Sequence, residues 1–405
     1  MMDKEKNRAL QLLMSEMPDE IELRWLSKRL QTPAKELRYH IENRILPDQK
    51  EMSQFVSKLN ISELEVRLAM GILDHTVIQR LSENVEAVAR CIPGNQQTTV
   101  PESPPIGLTT KLGRLYQGDC LKLMPNLPPN SVDLIFADPP FNLSKLYPSG
   151  MNDNLKTQEY ISWCEKWTDE CVRLLKPGGS LFVWNLPKWN SYMASYLNNR
   201  LTFRHWISCD IKFSLPIQGR LYPSHYSLLY YCKGEKPTTF KPDRLQMPIC
   251  PHCCGDLKDY GGYKHKMNPK GINLTDVWLD IPPVRHAKYK KRVGANELSV
   301  KLLDRVIEMA SKEGDLVFDP FGGSGTTYVV SELKNRRWLG CELDSLESIK
   351  VRFENIADDE AYLQRIRSEL NCLVTPQNYR RRTLLNLWTP DSVRRKKEEE
   401  LLALT

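Results

Sequence analysis

Asp138-Pro139-Pro140-Phe141-Asn142 sets a carboxylate, two prolines and an aromatic ring directly after Val132-Asp133-Leu134-Ile135-Phe136-Ala137, an apolar run with the pattern of a central strand. In open α/β sheets the carboxyl ends of strands are where ligands bind. Successive prolines fix φ and carry no amide, so the corner presents a rigid row of carbonyl acceptors beside the Asp138 carboxylate. Such a corner suits a planar exocyclic amine, whose nitrogen is a poor nucleophile because its lone pair is delocalised into the ring. If the Asp138 carboxylate and the Pro139 carbonyl each accept one N–H, the nitrogen moves towards tetrahedral geometry. The cation that forms as it attacks an electrophilic methyl is then stabilised. Phe141 would stack on the ring and exclude water.

A second constellation is Phe318-Asp319-Pro320-Phe321-Gly322-Gly323-Ser324-Gly325-Thr326-Thr327, again a strand entering a glycine-rich bend and then a helix. It is not a phosphate loop, because Thr326 stands where that loop has lysine, and the spacing is not the dinucleotide fingerprint. A nucleoside without phosphates is the better guest. About 20 residues on, Trp338-Leu339-Gly340-Cys341-Glu342 ends the next strand with an acid placed to take both hydroxyls of a ribose.

With both constellations the chain resembles the amino-methyltransferases of bacterial restriction–modification systems, which move a methyl from S-adenosylmethionine to N6 of adenine or N4 of cytosine in DNA. Asp138-Pro139-Pro140-Phe141 comes about 180 residues before the glycine bend, with a basic insertion between them, an order similar to the β class. The resemblance spans roughly residues 112–355. It implies that Asp319, Pro320, Phe321, Gly322, Gly323, Gly325 and Thr326 hold the methionine and sulfonium portion of the cofactor. It further implies that Glu342 holds the ribose and Asp119 the adenine, and that Asn296, on a helix over 296–309, completes the methionine pocket. Before that helix the sequence departs from the family, with Lys291-Arg292-Val293-Gly294 in place of a His-Pro-Thr-Gln-Lys-Pro-like run. Asp at the head of the corner points to adenine N6, since many cytosine-N4 enzymes carry Ser there; cytosine N4 is the alternative. The target base must be flipped out of the duplex and methylated by direct in-line transfer. Carbon-5 methylation is disfavoured, because a Pro-Cys dipeptide is missing from the strand end. Methylation of RNA or of a protein amide is a further alternative, although release-factor-type enzymes usually lead with Asn and place the cofactor site first. An idle DNA-binding relative is argued against by the intact Asp138 and Glu342.

These residues need a scaffold. At 405 residues and 41% hydrophobic the chain can bury a full α/β core with material to spare. Residues 1–91, with almost no glycine and with Leu10, Leu13, Met17, Leu23, Leu26 and Leu30 at helical spacing, read as a helical domain. In it, Gln31-Thr32-Pro33 offers a hydroxyl cap and then a proline between two helices whose stripe continues through Leu37 and Ile41, a helix-turn-helix pattern. Ser62 and Glu65 form a capping box ahead of a run through Ala69 and Leu73. This domain is expected either to contact DNA or to have helices that pack only on one another or on a second subunit, a homodimer. Residues 92–107 are a proline-rich tether. From 108 the alternation of apolar runs with helical segments predicts a mainly parallel sheet, with strands at 132–137, 180–184, 226–231 and 315–318. The resemblance makes this a Rossmann-like, seven-stranded class I methyltransferase domain, its catalytic half at 108–232 and its cofactor half at 293–358.

The insertion 233–292 carries thirteen Lys and Arg against six Asp and Glu, an excess equal to the +7 of the whole chain. Lys264, Lys266, Arg285, Lys288, Lys290, Lys291 and Arg292, interleaved with aromatic residues, suit phosphates and base edges of duplex DNA. Cys250 and Cys253 look like half of a zinc knuckle. Zinc needs four ligands and no second Cys-x-x-Cys follows, which leaves Cys232, His265 and His286 to complete a set. Residues 359–405 read as a helical, charged tail without chemistry. Scattered single cysteines, a charged Met1–Lys6 and no long apolar run fit a reduced cytoplasm and no membrane span. A cognate restriction endonuclease is the partner this family implies.

Overall fold

The computed structural model describes residues 2–15, 18–92, 100–143, 153–210, 218–219, 221, 223–249, 267–282 and 297–391. The contacts divide the chain into two compact units that meet in sequence at Thr99 and Val100.

The first unit is helical: α1 (Met2–Met14), α2 (Glu20–Leu30), α3 (Ala34–Asn43), α4 (Gln49–Leu59), α5 (Glu63–Ala69), α6 (His75–Glu83) and α7 (Val85–Cys91). Leu13, Leu23, Leu26, Leu30, Leu37 and Ile41 meet in its core with Phe55 and Val66. The Ser62–Glu65 capping box forms at the start of α5. Two expectations are corrected. Thr32 does not cap α3: Pro33 occupies the cap position, and buried Thr32 gives its carbonyl to the Ser27 hydroxyl. Leu73 is exposed, because α5 ends at Ala69 and the stripe stops with it.

The second unit runs β1 (Ile106–Thr109), β2 (Gly113–Gln117), α8 (Cys120–Leu123), β3 (Val132–Ala137), α9 (Thr157–Leu174), β4 (Leu175–Asn185), α10 (Pro187–Leu197), β5 (Thr202–Asp210) and β6 (His225–Cys232). It continues with β7 (Arg244–Leu245), β8 (Ile272–Asn273), β9 (Val277–Trp278), α11 (Val300–Ala310), β10 (Leu316–Asp319), α12 (Thr326–Leu333) and β11 (Arg337–Glu342), and ends with α13 (Glu347–Glu354), α14 (Ile356–Glu369) and α15 (Pro376–Leu384).

Among the described residues the sheet has nine strands, not seven, in the order β1-β2-β11-β10-β3-β4-β6-β5-β9. Seven of them, from β2 to β5, form a continuous run in which only β6 opposes the rest. The two additions are edge strands: β1 comes from the end of the expected tether, and β9 returns from the insertion to lie along β5. Both faces are covered. Leu134 and Phe136 of β3 pack with α11 and α12, whereas Ile135 and Ala137 face α9 and α10, so this strand is apolar on every position but Asp133. The chain winds outward in opposite directions from β10 and β3, which makes the crevice between their carboxyl ends the topological switch point.

The end of the chain is less tail-like than its composition implies. Met247, Leu373 and Val374 share a small core with Ile272, Tyr379 and Trp388. Main-chain bonds join Asn371 to Arg244 and Leu373 to both Met247 and Pro269. Arg367 of α14 reaches Asp243 at 2.6 Å and Asp304 of α11 at 2.5 Å. Residues 370–391 thus pack on the base of the insertion. No helix among the described residues is long and apolar enough to cross a membrane.

Candidate active site

Four neighbouring strands, β2, β11, β10 and β3, each finish on an acid at the same edge of the sheet: Asp119, Glu342, Asp319 and Asp138. The sheet order therefore brings together four carboxyls spread over more than 220 residues of chain. Among the described residues no cation pairs with Asp119, Asp319 or Glu342.

The corner after β3 is held from two sides. Tyr160 of α9 donates to the Pro140 carbonyl at 2.6 Å, and the Trp189 indole of α10 donates to the Phe141 carbonyl at 2.7 Å. No described residue donates to the Pro139 carbonyl. Phe141 is only 8% exposed and lies 5.8 Å, ring centre to ring centre, from Tyr226, which in turn lies 4.9 Å from Trp184. Asn142 takes the left-handed conformation, φ 52°, that asparagine tolerates. It exchanges two bonds with Leu155, and its amide donates to Asp153.

The bend after β10 is built differently. Asp319 is 2% exposed; its carboxylate accepts from the Phe321 amide at 2.9 Å and from the Thr327 hydroxyl at 2.5 Å. Burial pushes this carboxyl well above the usual range, and the negative charges of Asp138 and Glu342 add to the shift. Gly325 turns the bend at φ 73°, where a β-carbon would also meet Ile349 at 2.8 Å. The Gly323 amide donates to Glu342 at 2.6 Å, and the second Glu342 oxygen accepts from Asp344. Glu342 is itself raised, chiefly by burial. Asp119 caps α8 through the Leu121 amide. Phe321 wedges between Trp163 and Trp167, tying the bend to α9.

A family model described as DNA methylase matches residues 132–349, just over half of the chain and the span that holds both constellations. The type II methyltransferase M.BamHI of Bacillus amyloliquefaciens is 46% identical over 399 residues, covering 97% of this chain and 93% of that protein. This chain belongs to the DNA amino-methyltransferases of restriction–modification type. Two further relatives cover less of it. The type II methyltransferase M.HpaI of Haemophilus parainfluenzae is 31% identical over 60% of this chain and 74% of its own length. The DNA adenine methyltransferase YhdJ of Escherichia coli (strain K12) is 31% identical over 58% of this chain and 80% of its own. The cofactor of the DNA amino-methyltransferase is S-adenosylmethionine. Asp119, Asp319 and Glu342, with no cation paired to them among the described residues, fit a cofactor that carries a positive sulfonium and a positive ammonium.

The side chains of Asp319 and Thr326 face the protein interior: the Thr326 hydroxyl accepts from Arg352 at 2.6 Å and lies 3.3 Å from the Leu298 carbonyl. Arg352, fully buried, pairs with Asp359 at 2.7 Å and also reaches the Ser324 carbonyl. It braces the bend from behind. Tyr328, packed on Gly340, sets its hydroxyl 3.0 Å from the Asp319 carbonyl and 3.2 Å from that of Cys341, pinning two strand ends together. Tyr160, Trp189, Tyr328 and Arg352 went unread in the sequence, because only tertiary placement gives their polar atoms a partner in the site. Asn296 lies outside the described residues; the helix near it is α11, Val300–Ala310 rather than 296–309. Lys264, Lys266, Arg285, Lys288, Lys290, Lys291, Arg292, Cys250 and Cys253 also lie outside them. Among the described residues no cluster could hold a metal.

Proposed function

We propose that the chain methylates N6 of adenine at a specific site in duplex DNA. The methyl-transfer reading is supported by the adjacency of β3 and β10, which sets the Asp-Pro-Pro-Phe corner and the glycine bend on neighbouring strand ends, and the choice of adenine by Asp138 at the head of the corner. When bound, S-adenosylmethionine supplies the electrophilic methyl. The backbone of Pro320 to Gly325 holds its methionine and sulfonium end, shaped from within by Asp319 and Thr326. Glu342 accepts from the ribose hydroxyls, Asp119 lies against the adenine, and Asn296 completes the methionine pocket. The target base is flipped against Phe141. Asp138 and the Pro139 carbonyl each accept one amine hydrogen, which turns the nitrogen lone pair towards the methyl and stabilises the developing cation.

The basic residues of the insertion, Lys264 to Arg292, neutralise phosphates and bring side chains to base edges. A restriction endonuclease that cuts the same site is the matching partner. A second reading, N4 of cytosine, is favoured by the crowding of Phe141, Tyr226 and Trp184 around the corner, which suits a single six-membered ring. Modified-base sequencing of DNA from cells that express the protein tests the proposal. N6-methyladenine in one fixed context is the expected result. N4-methylcytosine transfers the assignment to the second reading, and unmodified DNA overturns both.

A further inference from the structure

Pre-proline residues are confined to extended ψ by clash with the proline ring, so Asp138 and Pro139 are oriented by the sequence itself. Pro140 and Phe141 precede Phe141 and Asn142, and nothing local fixes their ψ. Their carbonyls are the two that receive donors from α9 and α10. The donors are side by side, with the Tyr160 and Trp189 rings 4.6 Å apart. Tyr160 is also supported from behind. Buried Asn185 donates to the Tyr160 oxygen at 3.1 Å and accepts from the Leu186 amide, while Ser227 donates to the Asn185 carbonyl and buried Asn190 donates to Ser227. Nothing in the methyl-transfer chemistry above uses this network.

We infer that Tyr160 and Trp189 are positioning residues that engage the Pro140 and Phe141 carbonyls and thereby leave the Pro139 carbonyl as the one main-chain acceptor presented to the amine. The inference rests on the proposed role of the corner. The two donors fix the peptide planes on the far side of Pro139, so the proline carbonyl and the Asp138 carboxylate keep a constant separation and a substrate nitrogen meets both at once. Burial raises the Tyr160 hydroxyl far above its ordinary value, so it remains a donor at every working pH.

The test uses the full-length chain in single-turnover methyl transfer, with DNA and cofactor both saturating. Tyr160→Phe removes one hydroxyl from an otherwise isosteric side chain, and Trp189→Phe removes one N–H while keeping a ring. Each is expected to slow transfer by about tenfold, one hydrogen bond's worth of orientation, with the cofactor dissociation constant within about twofold of the parent. The double variant is expected to be slower than either. A rate equal to the parent's in both single variants overturns the inference, as does an equal loss of cofactor affinity, which would make the residues general supports. Asp138→Ala, run in parallel, separates the two levels: an active Asp138→Ala chain overturns the reading of the corner, whereas an inactive one with full-rate Tyr160→Phe and Trp189→Phe overturns the positioning role alone.

Discussion

Asp138-Pro139 and Asp319-Pro320 are the same dipeptide at the ends of adjacent strands, yet the turns that follow them differ. After Asp319-Pro320 comes Phe321, whose amide turns back and donates to the Asp319 carboxylate, closing an Asx-type turn. After Asp138-Pro139 comes Pro140, which has no amide to turn back. One carboxylate is captured by its own turn, buried, and put to shaping a bend; the other is half-buried and has no amide at the equivalent place in its turn. The second proline of the corner thus does more than stiffen it. On the proposed reading, it keeps a turn amide of the Phe321 kind from competing with a substrate for Asp138.

The contrast is broken most forcefully at Asp138. Asp138→Ala is expected to lower the methyl-transfer rate by about a thousandfold or more, with cofactor affinity nearly unchanged in a direct titration. On the cofactor side, Glu342→Ala is expected to weaken binding by about 10- to 100-fold, the worth of a hydrogen bond to a charged group, measured calorimetrically. An unaltered dissociation constant there removes the ribose contact. Pro140→Ala converts the corner towards the bend by supplying the missing amide. Its turnover is expected to fall by about tenfold, and a variant with full turnover would show that amide capture is not what the proline prevents.

The smallest effect is one of pH. Burial raises Glu342 and Asp319, so these groups hold protons to higher pH than free carboxyls. A cationic cofactor favours their ionised forms, and by linkage its binding releases protons. Affinity is therefore expected to rise with pH through their titration and to fall, by a few-fold, as the pH drops through it. Calorimetry in two buffers of different ionisation enthalpy reads the released protons directly, and no buffer dependence would contradict the assignment.

The strands that position the site were legible because they are covered on both faces and so read as largely apolar runs, with only Asp133 interrupting 132–137 and Asp315 opening 315–318. β5 was not, since Thr202-Phe203-Arg204-His205-Trp206 mixes charge with aromatic rings on a strand near the sheet's edge. The C-terminal helices misled for a related reason. They dock through Leu363 and Ile366 of α14, through Leu373 and Val374 of the connection to α15, and through Arg367 bridging Asp243 and Asp304, so their polar composition hides a buried face.

Residue type and order along the chain carried the proposed chemistry: an acid followed by two prolines, a glycine bend, a second acid about 20 residues on, and a basic segment between the two halves. Those are local facts, because φ restriction, missing amides and steric room at glycine belong to single residues and their neighbours. Which carboxylate its own turn captures, which carbonyls already have donors, and which arginine braces the bend were decided only by folding. Hydrogen bonds such as Tyr160 to Pro140 and Arg352 to Thr326 join residues 20 and 26 positions apart, and no local rule links their partners until strands and helices bring them within about 3 Å.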